Sequence, residues 1–212
     1  VVLCGQAILD AGTEEQKDGF LERIAAGELV MALALMESSA RYQARDMAVR
    51  ADLSGDGYVI NGTKMFVSDG QAADYFIVAT RTADGANPQE GISLLLVDAH
   101  TPGITVHPLR VMGIDKQAEV IFQDVWVPSE HLLGPVGGGW PLVEKLLAWG
   151  AVGKCAESVG GAQAALDLTV GYVKIRHAFG QPVGSFQAIQ HHCANMLTDV
   201  DTSRYLTYQA AW

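Results

Sequence analysis

Arg176-His-Ala-Phe-Gly180-Gln-Pro182-Val-Gly-Ser-Phe-Gln-Ala-Ile-Gln190 joins two long segments with helical periodicity. Gly180 can adopt the left-handed backbone conformation that ends a helix, and Pro182 cannot continue one. The stretch therefore predicts a short, stiff turn between two helices. A cation, an aromatic ring and two amides lie at its edge, where they could hold an anion and stack on a flat heterocycle. The same residues are also compatible with a plain helix–helix corner that carries a solvated arginine.

On both sides of this turn the apolar residues recur every three or four positions. Residues 140–176 predict one helix of roughly 50 Å, at about 1.5 Å per residue, and residues 187–212 predict a second helix. Two long helices joined by a tight corner form half of a four-helix bundle. The chain starts without Met and ends within a helical pattern, so we expect it to be a piece of a longer polypeptide, with the other half of the bundle beyond residue 212.

Between residues 29 and 128 the pattern changes to short apolar runs separated by turn residues. Gly55-Asp56-Gly57 and Asn61-Gly62 are predicted hairpin turns, because Gly and Asn tolerate a positive φ. No helical pattern of any length interrupts this region, which excludes a βαβ nucleotide fold and predicts an antiparallel sandwich or barrel. The predicted strands cover residues 29–36, 48–53, 58–61, 64–68, 75–81, 92–97, 104–108 and 118–127.

The first 28 residues predict two short helices. Thr13 and Gln16 form a capping-box pattern at the start of the second helix, and Gly27 ends it. The fold class is thus α+β and multidomain. We expect three parts: a helical segment at 1–28, a middle β domain at 29–128, and the first part of a helical bundle domain at 129–212.

Composition excludes several classes of protein. Of the 212 residues, 49% are hydrophobic and 18% are charged, which is typical of a packed globular chain. The net charge of −10 argues against nucleic acid and anionic membrane surfaces as partners. No apolar run is long enough to span a bilayer, and no signal peptide is visible.

The cysteines and histidines show no spacing typical of a metal site. Cys4, Cys155 and Cys193 are widely separated, and we expect buried free thiols in a cytoplasmic or other reducing compartment. His191 and His192 are adjacent and point about 100° apart on a helix, so they cannot chelate one metal alone. No metal is expected, and spacing alone does not establish an enzyme.

Nearly the whole chain resembles the acyl-CoA dehydrogenase family. The turn quoted above is similar to the family's flavin-contacting corner, and other family motifs follow in the same order and spacing. They are Glu37, Tyr58-Val-Ile-Asn-Gly62-Thr-Lys64-Met-Phe66-Val-Ser68-Asp-Gly70, Thr101-Pro-Gly103, Phe122-Gln-Asp124-Val125-Trp-Val127-Pro128 and Gly137-Gly-Gly-Trp140. The resemblance implies that residues 1–28 end a larger helical domain.

The resemblance also implies FAD as cofactor. Phe66 matches an aromatic residue that stacks on the flavin ring, and Ser68 matches a hydroxyl near N5. Arg176 and Gln187 match residues that hold the diphosphate, in the family from a neighbouring subunit. The implied cofactor-binding residues are Leu35, Met36, Phe66, Ser68, Arg176, Phe179, Val183 and Gln187.

Several positions depart from the family pattern. Met36 replaces a threonine whose hydroxyl serves the flavin. In the segment that contacts acyl-CoA, Tyr42 replaces a serine and Gln43 an aspartate, and these two are the candidate substrate-binding residues. At the positions where members carry an arginine or a catalytic glutamate on the long helix, this chain has Ala151 and Gly150. No catalytic residue is named, and the base is expected beyond residue 212.

The implied activity is α,β-dehydrogenation of an acyl-CoA thioester, with electrons passed to an electron-transfer flavoprotein or similar acceptor. Two alternatives follow from the departures. One is a catalytically degenerate subunit of a hetero-oligomeric dehydrogenase that completes a partner's flavin site. The other is a CoA-thioester binding module. A homo- or hetero-oligomer, a dimer or tetramer, is expected.

Overall fold

The computed structural model describes residues 2–212, and they form two compact units. The first unit runs to Leu146 and the second covers Leu147–Trp212. The division into parts at 1–28, 29–128 and 129–212 stays a prediction.

Two short helices begin the first unit, α1 (Val2–Ala11) and α2 (Glu14–Ala26). The capping box is confirmed, because the Thr13 hydroxyl accepts from the Gln16 N–H at 3.2 Å and the Gln16 side chain accepts from the Thr13 N–H at 3.1 Å. Gly27 ends α2 at φ 76°. The Gln16 amide also donates to two backbone carbonyls that follow the last long strand, so the cap fastens α2 to the sheet.

Eight strands form one mixed sheet in the order β6-β7-β3-β2-β4-β5-β8, with β1 paired to β4. They are β1 (Met31–Ala34), β2 (Arg50–Ser54), β3 (Gly57–Ser68), β4 (Tyr75–Arg81), β5 (Ile92–Asp98), β6 (Ile104–Leu109), β7 (Gln117–Pro128) and β8 (Leu132–Leu133). The turn at Gly55-Asp56 between β2 and β3 is confirmed as a two-residue hairpin.

The sheet curls over its own core. Phe76 on β4 and Phe122 on β7 are separated by β3 and β2, which is about 14 Å in a flat sheet. Their ring centroids are only 6.4 Å apart, edge to face. The two halves of the sheet therefore face each other as in a sandwich, and their inward side chains form the main hydrophobic cluster.

Of the two predicted alternatives, sandwich and barrel, the barrel is not found, and two strand pairings depart from the antiparallel prediction. The sheet is not a closed barrel, since β6 and β8 stand at opposite ends of the strand order. It is not fully antiparallel either, because β1 runs parallel to β4 over four residue pairs and β2 meets β4 in parallel at one. Turn residues indicate where adjacent strands reverse, but β1 reaches its partner after two intervening strands, which local patterns do not reveal.

Asn61-Gly62 is not a hairpin turn but an irregularity inside β3. The pairing of β3 with β7 shifts between Ile60 and Gly62, and Gly62 has φ 137°. The Asn61 amide exchanges two hydrogen bonds with Asp124, at 3.0 and 2.9 Å. The positive φ that the dipeptide tolerates therefore serves a β-bulge, and β3 continues unbroken for 12 residues.

In the second part of the chain, α3 (Trp140–Ile175) and α4 (Gln187–Ala211) confirm the two predicted long helices. Between them lie β9 (His177–Ala178) and β10 (Gln181–Pro182), which pair as a small hairpin, and one 3-10 turn at Val183–Ser185. Gly180 does adopt the left-handed conformation, at φ 80°, but at the hairpin tip rather than at the helix end.

Candidate functional site

A buried ion pair lies where the end of β1 meets β3. Lys64 is fully buried, and its Nζ donates to Oε1 of Glu37 at 2.7 Å and to the Leu35 carbonyl at 3.1 Å. The Glu37 carboxylate also accepts the N–H groups of Ala48 at 2.8 Å and Val49 at 3.2 Å. Burial lowers the pKa of Lys64 from 10.5 to about 8, and the Glu37 charge opposes that shift.

Three of the predicted site residues lie on the two segments that this pair joins. The Met65 N–H donates to the Met36 carbonyl at 2.8 Å, which places Met36 against β3. Phe66 has φ 55° at a shift in the β3–β7 register, and its side chain is 41% exposed. Ser68 is exposed two residues further along the same strand. The last residues of β3 therefore expose an aromatic ring and a hydroxyl, and Met36 is bonded to Met65 of the same strand.

Leu35 contributes differently from its neighbours. Its side chain is buried and its carbonyl oxygen accepts from Lys64. The Leu35 side chain thus belongs to the packing that holds the segment, and it presents no exposed apolar surface to a ligand.

The candidate substrate residues lie in the segment between β1 and β2. Tyr42 is 52% exposed, and Gln43 is exposed with its side-chain oxygen held by the Arg45 guanidinium. The next turn is fastened to β4, because Arg81 donates to the carbonyls of Ala44 and Met47. A fixed segment with an exposed phenol and amide is therefore available close in sequence to Glu37.

In the second unit the remaining predicted residues surround the small hairpin. Arg176 and Gln187 are exposed, and Val183 is half-buried, with its N–H donating to the Arg176 carbonyl at 2.7 Å. Phe179 is 95% exposed at φ 53°, a backbone conformation that strains a bulky residue. Its ring meets Phe186 edge to face at 6.2 Å. The corner thus displays a cation, an amide and an aromatic ring on a rigid turn.

Within the described residues, the cysteines and the possible metal ligands form no second site. Burial raises the pKa of the Cys4 thiol to about 11, so it stays protonated near neutral pH. All three cysteines are free thiols, but the expectation that they are buried is wrong for Cys155, which is exposed, and Cys193 is half-buried. Within residues 2–212 no group of three or more His, Cys, Asp or Glu residues could hold a metal ion.

Comparison with known proteins identifies the family. The sequence model "Acyl-CoA dehydrogenase, middle domain" matches residues 32–125, and "Acyl-CoA dehydrogenase, C-terminal domain" matches residues 137–212. This chain belongs to the acyl-CoA dehydrogenase family. The two matched regions contain all the predicted site residues of this family member, from Leu35 in the middle domain to Gln187 in the C-terminal domain.

Two relatives and one solved structure illustrate the similarity. The short/branched chain specific acyl-CoA dehydrogenase of Bos taurus mitochondria is 38% identical over 94% of this chain and 46% of its own length. The CarC subunit of the caffeyl-CoA reductase–Etf complex of Acetobacterium woodii is 35% identical over 99% and 56%. The structure of butyryl-CoA dehydrogenase from Megasphaera elsdenii matches with a TM-score of 0.92 and 36% identity, over 98% and 55% of the chains. This acyl-CoA dehydrogenase chain thus spans about half the length of the relatives it matches.

Members of the acyl-CoA dehydrogenase family are flavoproteins, and the residues present here are of types that a flavin site uses. A flavin ring needs a flat apolar wall and hydrogen-bonding groups at its polar edge. Phe66 and Ser68 are groups of these two kinds, and both are exposed near the end of β3. Met36 supplies no side-chain donor, so only its backbone can serve that edge.

Sequence reasoning did not predict that Lys64 and Glu37 form a buried ion pair. Both residues were noted as family motif positions, but neither was expected to be buried or paired. A usable signal was present, because Lys64 stands at a core-facing position of a strand, between Gly62 and Val67, where a lysine requires a partner.

Proposed function

We propose that the protein is an FAD-dependent acyl-CoA dehydrogenase, which removes hydrogens from the α and β carbons of an acyl-CoA thioester. The proposal is carried by one observation: Met36 is bonded to β3 at Met65, and the same strand exposes Phe66 and Ser68. It is supported by relatives whose names specify acyl-CoA dehydrogenases. Those names do not favour the alternatives of a degenerate subunit or a CoA-thioester binding module.

In this proposal each group has a distinct task. FAD, when bound, supplies the hydride acceptor. Phe66 packs against one face of the ring and excludes water from it, and the Ser68 hydroxyl donates a hydrogen bond near N5. Leu35 and Met36 line the pyrimidine edge through their backbone. Tyr42 and Gln43 contact the acyl-CoA.

The remaining predicted cofactor-binding residues lie in the second unit. Arg176 and Gln187 hold the diphosphate by charge-assisted and amide hydrogen bonds, and Phe179 and Val183 contact the adenine. In an oligomer Arg176 and Gln187 serve the FAD of a neighbouring subunit. We assign no catalytic base to residues 2–212.

We further propose an electron-transferring flavoprotein as acceptor, in a homo- or hetero-oligomeric enzyme. One relative is named as a subunit of a complex with Etf, which supports an acceptor of this class. No helix within residues 2–212 is both long and apolar enough to cross a membrane. A cytoplasmic or other reducing compartment remains our prediction.

The visible absorption spectrum of the full-length protein tests this function. We expect flavin absorbance in the protein purified alone, and bleaching of that absorbance when butyryl-CoA is added without oxygen. Bleaching identifies the substrate class, and CoA alone is the control that must leave the spectrum unchanged. A protein that retains no flavin after reconstitution with FAD would overturn the proposal.

Replacing Arg176 with alanine should weaken FAD binding by about ten- to a hundredfold, because a hydrogen bond to a charged group is lost. The measurement is the dissociation constant of FAD, from quenching of its fluorescence. Lys174→Ala is the matched control, since it removes one positive charge from the same end of α3. Equal effects of the two variants would contradict a specific contact of Arg176 with the diphosphate.

A further inference from the structure

The Lys64–Glu37 pair connects three separate pieces of chain. The lysine lies on β3, the glutamate follows β1, and the carboxylate accepts the N–H groups of Ala48 and Val49 just before β2. The three pieces meet at one buried point, where the lysine side chain is fully buried and that of the glutamate is 9% exposed. A change at either residue would therefore be transmitted to all three.

The hydrogen bonds of Lys64 go to the residues on both sides of Met36. Lys64 binds the Leu35 carbonyl and the Glu37 carboxylate, which are the groups directly before and after Met36 in the chain. The Met36 carbonyl itself accepts from the N–H of Met65, the residue that precedes Phe66. Residues 35, 36 and 37 are therefore each bonded to β3, the strand that displays Phe66.

We infer that Lys64 and Glu37 are positioning residues for the flavin site, because they fix residues 35–37 against β3, the strand that exposes Phe66 and Ser68. The inference rests on the proposed function for the identity of the ligand. The positioning itself rests on the hydrogen bonds of the pair.

Stability alone does not account for this arrangement. Well-packed apolar side chains are often as stabilising as a buried ion pair, because both charges must leave water. An apolar pair, however, could not bind the Leu35 carbonyl and the two N–H groups before β2, and these bonds are what sets the position of the segment. The pair therefore fixes the position of residues 35–37, whereas an apolar pair would only pack against them.

Because Lys64 and Glu37 are charged, the position of residues 35–37 depends on pH. Glu37 is the ionised group that acts on Lys64, while β7 places the uncharged Val120 opposite it, and Ala48 and Val49 before β2 donate their N–H groups to the carboxylate. Burial brings the pKa of Lys64 to about 8, so the ammonium loses its proton as the pH rises through that value. The affinity for FAD should accordingly fall above about pH 8.

Two measurements on the full-length protein test the inference. The first is the FAD dissociation constant of the wild type, Lys64→Met, Glu37→Gln and the double variant, from pH 7 to pH 9. We expect each single variant to bind FAD at least about tenfold more weakly, the double variant to lose no more than the worse single one, and the pH dependence to vanish without Lys64. The second is hydrogen exchange of the Met65 and Val49 amides, which should quicken in both single variants.

Val127→Ala is the control for a general loss of stability. Val127 is buried and lies opposite Tyr58, six residues along β3 from Lys64. Unchanged FAD affinity, additive losses in the double variant, or effects no larger than those of Val127→Ala would overturn the inference. If Lys64→Met does not fold, Glu37→Gln decides by the same criteria. If the wild type binds no FAD, the proposed function fails, and the amide exchange alone then supports or overturns the positioning.

Discussion

Replacing Glu37 with alanine is expected to lower the free energy of unfolding by about 3–5 kcal/mol at pH 7, because it leaves the Lys64 ammonium buried without its counter-charge. The change also removes the acceptor for the N–H groups of Ala48 and Val49. A buried donor without a partner is unfavourable, which adds to the loss. Urea denaturation followed by circular dichroism measures the effect.

Two control variants separate the buried pair from a simple change in net charge. Glu37→Gln keeps an oxygen that can accept from Lys64, so it should lose less stability than the alanine variant. Glu22→Ala removes an exposed carboxylate and should change the free energy of unfolding by about 0.5 kcal/mol or less. A loss for Glu37→Ala as small as that for Glu22→Ala would contradict the importance of the pair.

The stability that Glu37→Ala loses should also depend on pH in a defined direction. The pKa of Lys64 is about 8 in the folded protein and 10.5 ordinarily, so the unfolded chain binds more protons between these values and wild-type stability rises with pH there. Glu37 raises the Lys64 pKa through its charge and through its hydrogen bond. Without Glu37 the pKa of Lys64 in the folded protein is lower, so the stability of the variant begins to rise at a lower pH than that of the wild type. The difference between variant and wild type should therefore shrink as the pH approaches about 8 and stay constant above it. A difference that does not change between about pH 6 and 8 would contradict this account.

Local sequence patterns predicted the elements of this fold well, since the residues concerned act through their immediate neighbours. The capping box at Thr13 and Gln16 needs only four residues, and it is present. The hairpin at Gly55-Asp56 needs only two, and it is present. The long helices α3 and α4 follow from periodicity alone.

What the sequence did not reveal depends on partners far apart in the chain. Gly62 permits a positive φ both in a hairpin and in a bulge, and only its pairing with β7 distinguishes the two. The direction of β1 is set by β4, more than 40 residues later. The identity of the Lys64 partner, Glu37, does not follow from the sequence, because a strand pattern shows that a side chain faces inward but not what it meets there.

The site itself divides in the same way. Family motifs led to Phe66, Ser68 and Arg176, and the structure exposes all three. They did not indicate that Leu35 would be buried or that Phe179 would stand almost fully exposed in a left-handed conformation. Both features result from backbone geometry at a strand end and at a hairpin tip, which residue identity alone does not specify.

Replacing Phe122 with alanine should lower the free energy of unfolding by about 3–5 kcal/mol, as large-to-small changes of a buried aromatic ring do. Phe122 is 1% exposed, and its contact with Phe76 joins the two facing halves of the curled sheet. Trp126→Ala is the matched control on the same strand, because its side chain is 45% exposed, and it should lose about 1 kcal/mol or less. A double-mutant cycle with Phe76→Ala should give a coupling of about 0.5–1.5 kcal/mol. Without such coupling, the halves of the sheet would be held together by other contacts, and the edge-to-face pair would not be what closes the core.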